Sequence, residues 1–117
     1  MNENAYEETG INWLDEANQM ESELKKNQPE LFQAVSQVMF KHDLMEINYE
    51  TNTDEYDSEA GTVIPRLKDC RSVNDVGDVL FEEFSRWFNK SAGKRHQYNE
   101  LANDIWLLWQ QSKQVNS

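Results

Sequence analysis

Ser72-Val-Asn-Asp-Val-Gly-Asp-Val-Leu-Phe-Glu-Glu-Phe-Ser-Arg-Trp-Phe88 is the stretch that decides the fold. Val73, Val76, Gly77, Leu80, Phe81, Phe84, Trp87 and Phe88 recur at three- and four-residue spacing, which is the period of an α-helix with one apolar face. Ser72 and Asp75 open the segment as a capping-box-like pair, with Asp where Glu is commoner. Asn89-Lys-Ser-Ala-Gly93 closes it with a basic last turn and a glycine stop. No other segment of the chain is as strongly periodic.

Beyond Gly93 the pattern resumes. Tyr98, Leu101, Ala102, Ile105, Leu108 and Trp109 mark the inner face of a last helix that begins near Lys94 to His96. Trp106 and Leu107 fall off that face. Two readings stand for them: packing beneath a loop or the first helix, or exposure at an interface, where aromatic side chains dominate binding energy. Residues 111–117 read as a flexible polar tail.

On the N-terminal side, Pro29 fits a first helical position. Leu31, Ala34, Val35, Val38, Met39 and His42 then share a face through about Met45, with Phe32 and Phe40 off it. Apolar groups on two sides predict a central helix. Ile11 to Lys26 reads as a further helix, with Leu14, Ala17, Met20 or Glu21, and Leu24 inward, Trp13 beside that stripe, and Asn12 as N-cap. Residues 1–10 read as a flexible tail. The chain of 117 residues is therefore expected to form a single all-α domain of four or five helices, bundle-like. Its core should hold Leu14, Val35, Val38, Leu80, Phe84, Ile105 and Leu108.

Between the second and fourth segments lies Asn52-Thr-Asp-Glu-Tyr-Asp-Ser-Glu-Ala-Gly-Thr-Val-Ile-Pro-Arg-Leu67. Residues 46–58 read as one long acidic loop. Asp57 or Ser58 could cap a short helix through Asp69, weakened by Gly61 and kinked at Pro65. Charge divides at this stretch. Residues 1–61 carry fifteen carboxylates against three lysines, whereas residues 62–117 carry seven against eight basic residues. The net charge of −11 produces a directional negative field. It disfavours direct contact with a nucleic-acid backbone or an anionic membrane surface, because repulsion replaces counterion release.

Few residues are arranged for chemistry. Asn52, Asp54, Tyr56 and Ser58 alternate as oxygen ligands of a calcium loop would, but the positions that require Gly and Glu hold Asp57 and Val63. His42 and His96 lie far apart and lack ligand-spaced neighbours, and a core-edge role suits His42 better. Asp57 and Glu59 have no nucleophile or oxyanion motif beside them. The one cysteine, Cys70, excludes an internal disulfide and reads as a half-buried thiol at a helix end. No catalysis, metal or cofactor is therefore expected. A start without basic and apolar leader regions, and no apolar run of about 20 residues, predict a cytoplasmic protein.

Asp54-Glu-Tyr-Asp-Ser-Glu59, Ile64-Pro-Arg-Leu67 and Glu82-Glu-Phe-x-Arg-Trp-Phe88 resemble stretches of small bacterial helical proteins, over roughly residues 44–90. In size and charge the chain is also similar to the immunity proteins of contact-dependent growth inhibition. That resemblance implies a non-catalytic protein that neutralises a cognate toxin domain, often a basic nuclease, by binding it. The expected contact residues are Asp54, Glu55, Tyr56, Asp57 and Glu59, extended by Asp15, Glu16 and Glu46, with Trp106 as the next candidate. The rival reading is an acidic adaptor or nucleic-acid mimic that regulates a cellular protein. A third is a small enzyme whose site assembles only in a dimer.

Overall fold

The computed structural model describes residues 2–45 and 55–116, with side chains over 13–45 and 55–113. Five α-helices follow in order: α1 (Asn2–Asn27), α2 (Pro29–His42), α3 (Asp57–Val63), α4 (Val73–Phe88) and α5 (Asn99–Asn116). Three 3-10 segments join them, Ile64–Asp69, Asn89–Ala92 and Arg95–Tyr98. No strand occurs among the described residues, so the chain is all-α, as its periodicity predicts.

The decisive segment folds as read. Ser72 caps α4, its hydroxyl accepting the Asp75 amide at 3.2 Å. The Asp75 carboxylate does not complete a capping box on Ser72; it accepts the Arg71 amide instead. Val76, Val79, Leu80 and Phe84 are buried, and Phe81, Trp87 and Phe88 pack partly against them. Phe84 gathers the aromatic core, with Tyr98 at 5.3 Å, Phe88 at 5.8 Å and Tyr56 at 6.1 Å between ring centroids. Such pairs add to simple area burial through complementary ring charge distributions. The Tyr98 hydroxyl donates to the Ala92 carbonyl at 2.5 Å, tying α5 back to the turn after α4.

Around α4 and α5 the remaining helices pack through α3. This short helix touches α1, α2 and α4. Tyr56, Ala60, Val63, Ile64 and Leu67 all turn inward from it and the 3-10 segment that follows. Gly61 lets α1 approach, because a β-carbon there would lie 3.1–3.2 Å from the Cβ and Cα of Glu21. The kink expected at Pro65 takes the form of a change of helix type. The α-helix ends at Val63, and Pro65 stands near the start of the 3-10 segment, where its missing N–H costs no bond.

Several boundaries differ from the sequence reading. Helix α1 begins at Asn2, so Asn12 lies inside it rather than at its cap. The inward stripe of α1 runs through Trp13, Ala17, Met20 and Leu24, and Leu14, predicted in the core, is 46% exposed. One step of 100° separates the two choices, and the tertiary partner Trp87, 4.8 Å from Trp13, selects the tryptophan. Val38 and Leu108 sit at the core edge rather than within it. Helix α2 starts at Pro29 as predicted but stops at His42, where Asp43 takes the left-handed conformation (φ 49°). Neither Asp57 nor Ser58 caps α3; Tyr56 occupies the N-cap without a side-chain bond. Helix α5 continues to Asn116, through most of the tail.

Candidate functional site

Glu21 and Gly61, Lys25 and Asp57, and Trp13 with Trp87 near Pro65 fix the direction of α1 against α3: the two run antiparallel. This separates the residues predicted to form one contact surface. Glu55 and Asp57 stand at the end marked by Lys25. Asp15 and Glu16 stand at the other, about 15 Å away along α1 at 1.5 Å per residue. Glu46 and Asp54 lie outside the described residues.

At the first end the acidic turn is built into the fold. Tyr56 is 0% exposed. Its hydroxyl donates to Asp43 Oδ1 at 2.8 Å and accepts the Met45 amide at 3.1 Å. Burial and the Asp43 carboxylate both push its ionisation well above the ordinary phenol range. Asp57 accepts the Ser36 hydroxyl of α2 and faces Lys25 Nζ at 3.4 Å. Lys25 also pairs with Glu21 at 2.9 Å and lies over the Phe32 ring. That hydrogen bond to Glu21, opposed by desolvation, holds the Lys25 ammonium above its usual pKa. Glu59 is 4% exposed, and its Oε1 has no partner among the described residues. Burial first, then the charges of Glu21, Asp57 and Glu55, push its pKa up to about 7. Tyr56 and Glu59 thus face the interior, and Glu55 and Asp57 are each half-buried. A short acidic loop reads as exposed by composition, whereas the packing of α3 on α1, α2 and α4 turns Tyr56 and Glu59, three residues apart, inward.

The second end holds a cleft of about 340 Å³ between α1, the Pro65 segment and α4. Glu16, Trp13, Arg66, Glu83 and Arg86 line it. Arg66 bridges Glu83 at 2.9 Å and Glu82 at 2.7 Å. Glu83 is 4% exposed, and its second oxygen and the Trp13 indole N–H have no partner among the described residues. Arg86 covers the Trp13 ring at 5.5 Å. None of these except Glu16 is a predicted contact residue. One sequence signal marks Glu83: it falls four, three and four residues along the stripe Val76, Leu80, Glu83, Trp87, where an apolar residue belongs.

Removing the arginine isolates that carboxylate. Breaking a fully buried pair costs about 3–5 kcal/mol. The half-open position of Arg66 reduces this to about 2–3 kcal/mol, because solvent screens the pair. Arg66→Met is expected to lower stability by that amount in urea denaturation, and Arg66→Met with Glu83→Leu to recover most of it. Equal loss in both variants would show that Arg66 acts through packing alone.

Trp106 packs partly buried against the core, and Leu107 beside it is 57% exposed. His42 sits at the core edge, its Nε2 2.7 Å from Asp104 of α5. Cys70 is buried, its thiol donating to the Arg66 carbonyl and pushed up in pKa chiefly by burial. Among the described residues no group of three His, Cys, Asp or Glu stands where it could share a metal ion, and no helix is long and apolar enough to cross a membrane. Comparison of the chain with protein families, curated proteins and solved structures finds no match.

Proposed function

We propose that this chain is a non-catalytic cytoplasmic binding protein that neutralises a basic toxin domain, most simply a nuclease, as an immunity protein does. The observation that carries this reading is the state of the carboxylates on α1. Asp15, Glu16 and Glu23 are exposed, and among the described residues Glu21 alone of the helix's acids after residue 12 is paired with a lysine. The negative charge of Asp15, Glu16 and Glu23 therefore has no lysine or arginine paired with it among the described residues. A site that handles phosphates is lined with Lys and Arg, so a carboxylate-rich helix can steer toward it and occupy it.

Reversal of Asp57 is not a clean test, since it would remove the Ser36 contact and place a cation against Lys25. Asp15→Lys, Glu16→Lys and Glu23→Lys together, all at exposed positions of α1, avoid both. The triple variant is expected to melt as the native chain does and to associate with the captured partner about 10-fold more slowly at low salt, with the difference shrinking as salt rises. The partner is obtained by pull-down from the producing strain. An unchanged association rate would remove this surface from the contact. A captured partner that is an acidic or nucleic-acid-processing host protein, rather than a toxin domain, would overturn the immunity reading in favour of a regulator.

A further inference from the structure

The α2–α5 face carries no role in the reading above. The two helices run antiparallel, since His42 meets Asp104 at one end and Leu31 lies with Gln111 and Ser112 at the other. Two hollows of about 430 and 380 Å³ lie along this seam and share Ala34, Leu108 and Gln111, so they form one trough. Its floor is apolar: Leu31, Ala34, Val38 and Leu108. Leu107 lines its Val38 end, and no other described large apolar side chain is more exposed.

We infer that this face binds a second copy of the same chain. Self-complementarity of shape and charge identifies the occupant. A two-fold interface requires one patch to present both the projection and the recess that receives it. Leu107 is the projection, and the hollow at Ala34 and Val38 is a recess large enough for a leucine side chain. The charges at the edge obey the same rule. Lys41 is exposed and has no ion pair among the described residues, while Asp104 lies across the trough from it and Glu30 at its far end. If the two copies of α2 run parallel, Lys41 meets Asp104 of the second copy. If they run antiparallel, it meets Glu30 of the second copy. Either arrangement joins a cation to an anion. This face offers an apolar floor and one lysine beside Asp104 and Glu30, whereas the basic partner proposed above calls for uncompensated carboxylates.

The overall charge of −11 on each copy opposes the pairing at long range. Salt shortens that repulsion to about 8 Å at physiological ionic strength and about 3 Å at 1 M. Self-association should therefore strengthen with salt, the opposite of binding to a basic protein.

The test is sedimentation velocity of the full chain from low micromolar to near-millimolar concentration, at low and at high salt. The mass is expected to rise from 13.8 kDa toward twice that value, at lower protein concentration in high salt. Leu107→Glu should stay monomeric throughout with an unchanged melting curve, and Lys41→Glu should shift dimerisation to at least 10-fold higher concentration. A native chain that remains monomeric at both salts overturns the inference. So does a dimer that persists in folded Leu107→Glu. If Leu107→Glu fails to fold, Lys41→Glu, at an exposed position, decides the matter: an unshifted dimer overturns the assignment of this face.

Discussion

Tyr56→Ala is expected to cost about 3–5 kcal/mol, the largest single loss at any position in the acidic turn, and Tyr56→Phe about 1–3 kcal/mol. The alanine variant loses the ring that packs on Phe84 and leaves a cavity where α2, α3 and α4 meet. The phenylalanine variant keeps the ring but removes a donor from Asp43 and an acceptor from the Met45 amide. Both groups lie just after α2, where Asp43 already holds the left-handed conformation. The tyrosine hydroxyl thus pins the start of the 46–54 connection to its end, and its loss releases both. Urea denaturation measures the two costs. A loss below about 0.5 kcal/mol in Tyr56→Phe would show that water replaces the hydroxyl without penalty and that the pin is not structural.

Glu59→Gln is expected to stabilise the protein at pH 8, against the usual direction for a buried substitution. The carboxyl is buried between α1 and α3, with Glu21 across the interface and Glu55 and Asp57 on its own side. Lys25 is the nearby cation, and it is occupied by Glu21 and Asp57. The pKa of Glu59 rises from 4.5 unfolded to about 7 folded, so the folded state holds its proton more tightly. The stability it contributes is complete below pH ~4.5 and is lost as pH rises through about 7. At 1.36 kcal/mol per pH unit the loss is on the order of 3 kcal/mol. Glutamine is neutral at every pH, so the variant should gain about 1–3 kcal/mol at pH 8 and little at pH 5. Thermal melts of both proteins from pH 5 to 8 check this: the native midpoint falls across the range and the variant's stays nearly level. Parallel curves would place the Glu59 charge in solvent.

Two tyrosines illustrate what the chain's own pattern could reveal. Tyr98 recurs with Leu101, Ala102 and Ile105 on one helical face, and it is buried with them, its ionisation pushed up to about 12 by burial. Tyr56 sits among four carboxylates with no period around it, and composition alone assigns it to the surface. Its burial depends on α1 and α2 arriving from elsewhere in the chain, through Gly61 against Glu21 and Asp57 against Ser36. Likewise the stripe of α1 could be placed on Leu14 or on Trp13 until Trp87, more than seventy residues away, chose between them.

By itself the sequence determined the helical class, the punctuation at Pro29, Ser72 and Gly93, most of the α4 and α5 core faces, and the division of charge near residue 61. These follow from local rules, because backbone capping and a 3.6-residue period act over a few neighbouring residues. The tertiary structure alone decided that the short interrupted helix α3 lies in the middle and that the acidic turn points inward. It also split the predicted acidic surface between two ends of α1 and created the Arg66–Glu83 cleft. Each of these rests on contacts between residues distant in the chain, and burial, pairing and pKa are properties of those contacts rather than of any residue's neighbours in sequence.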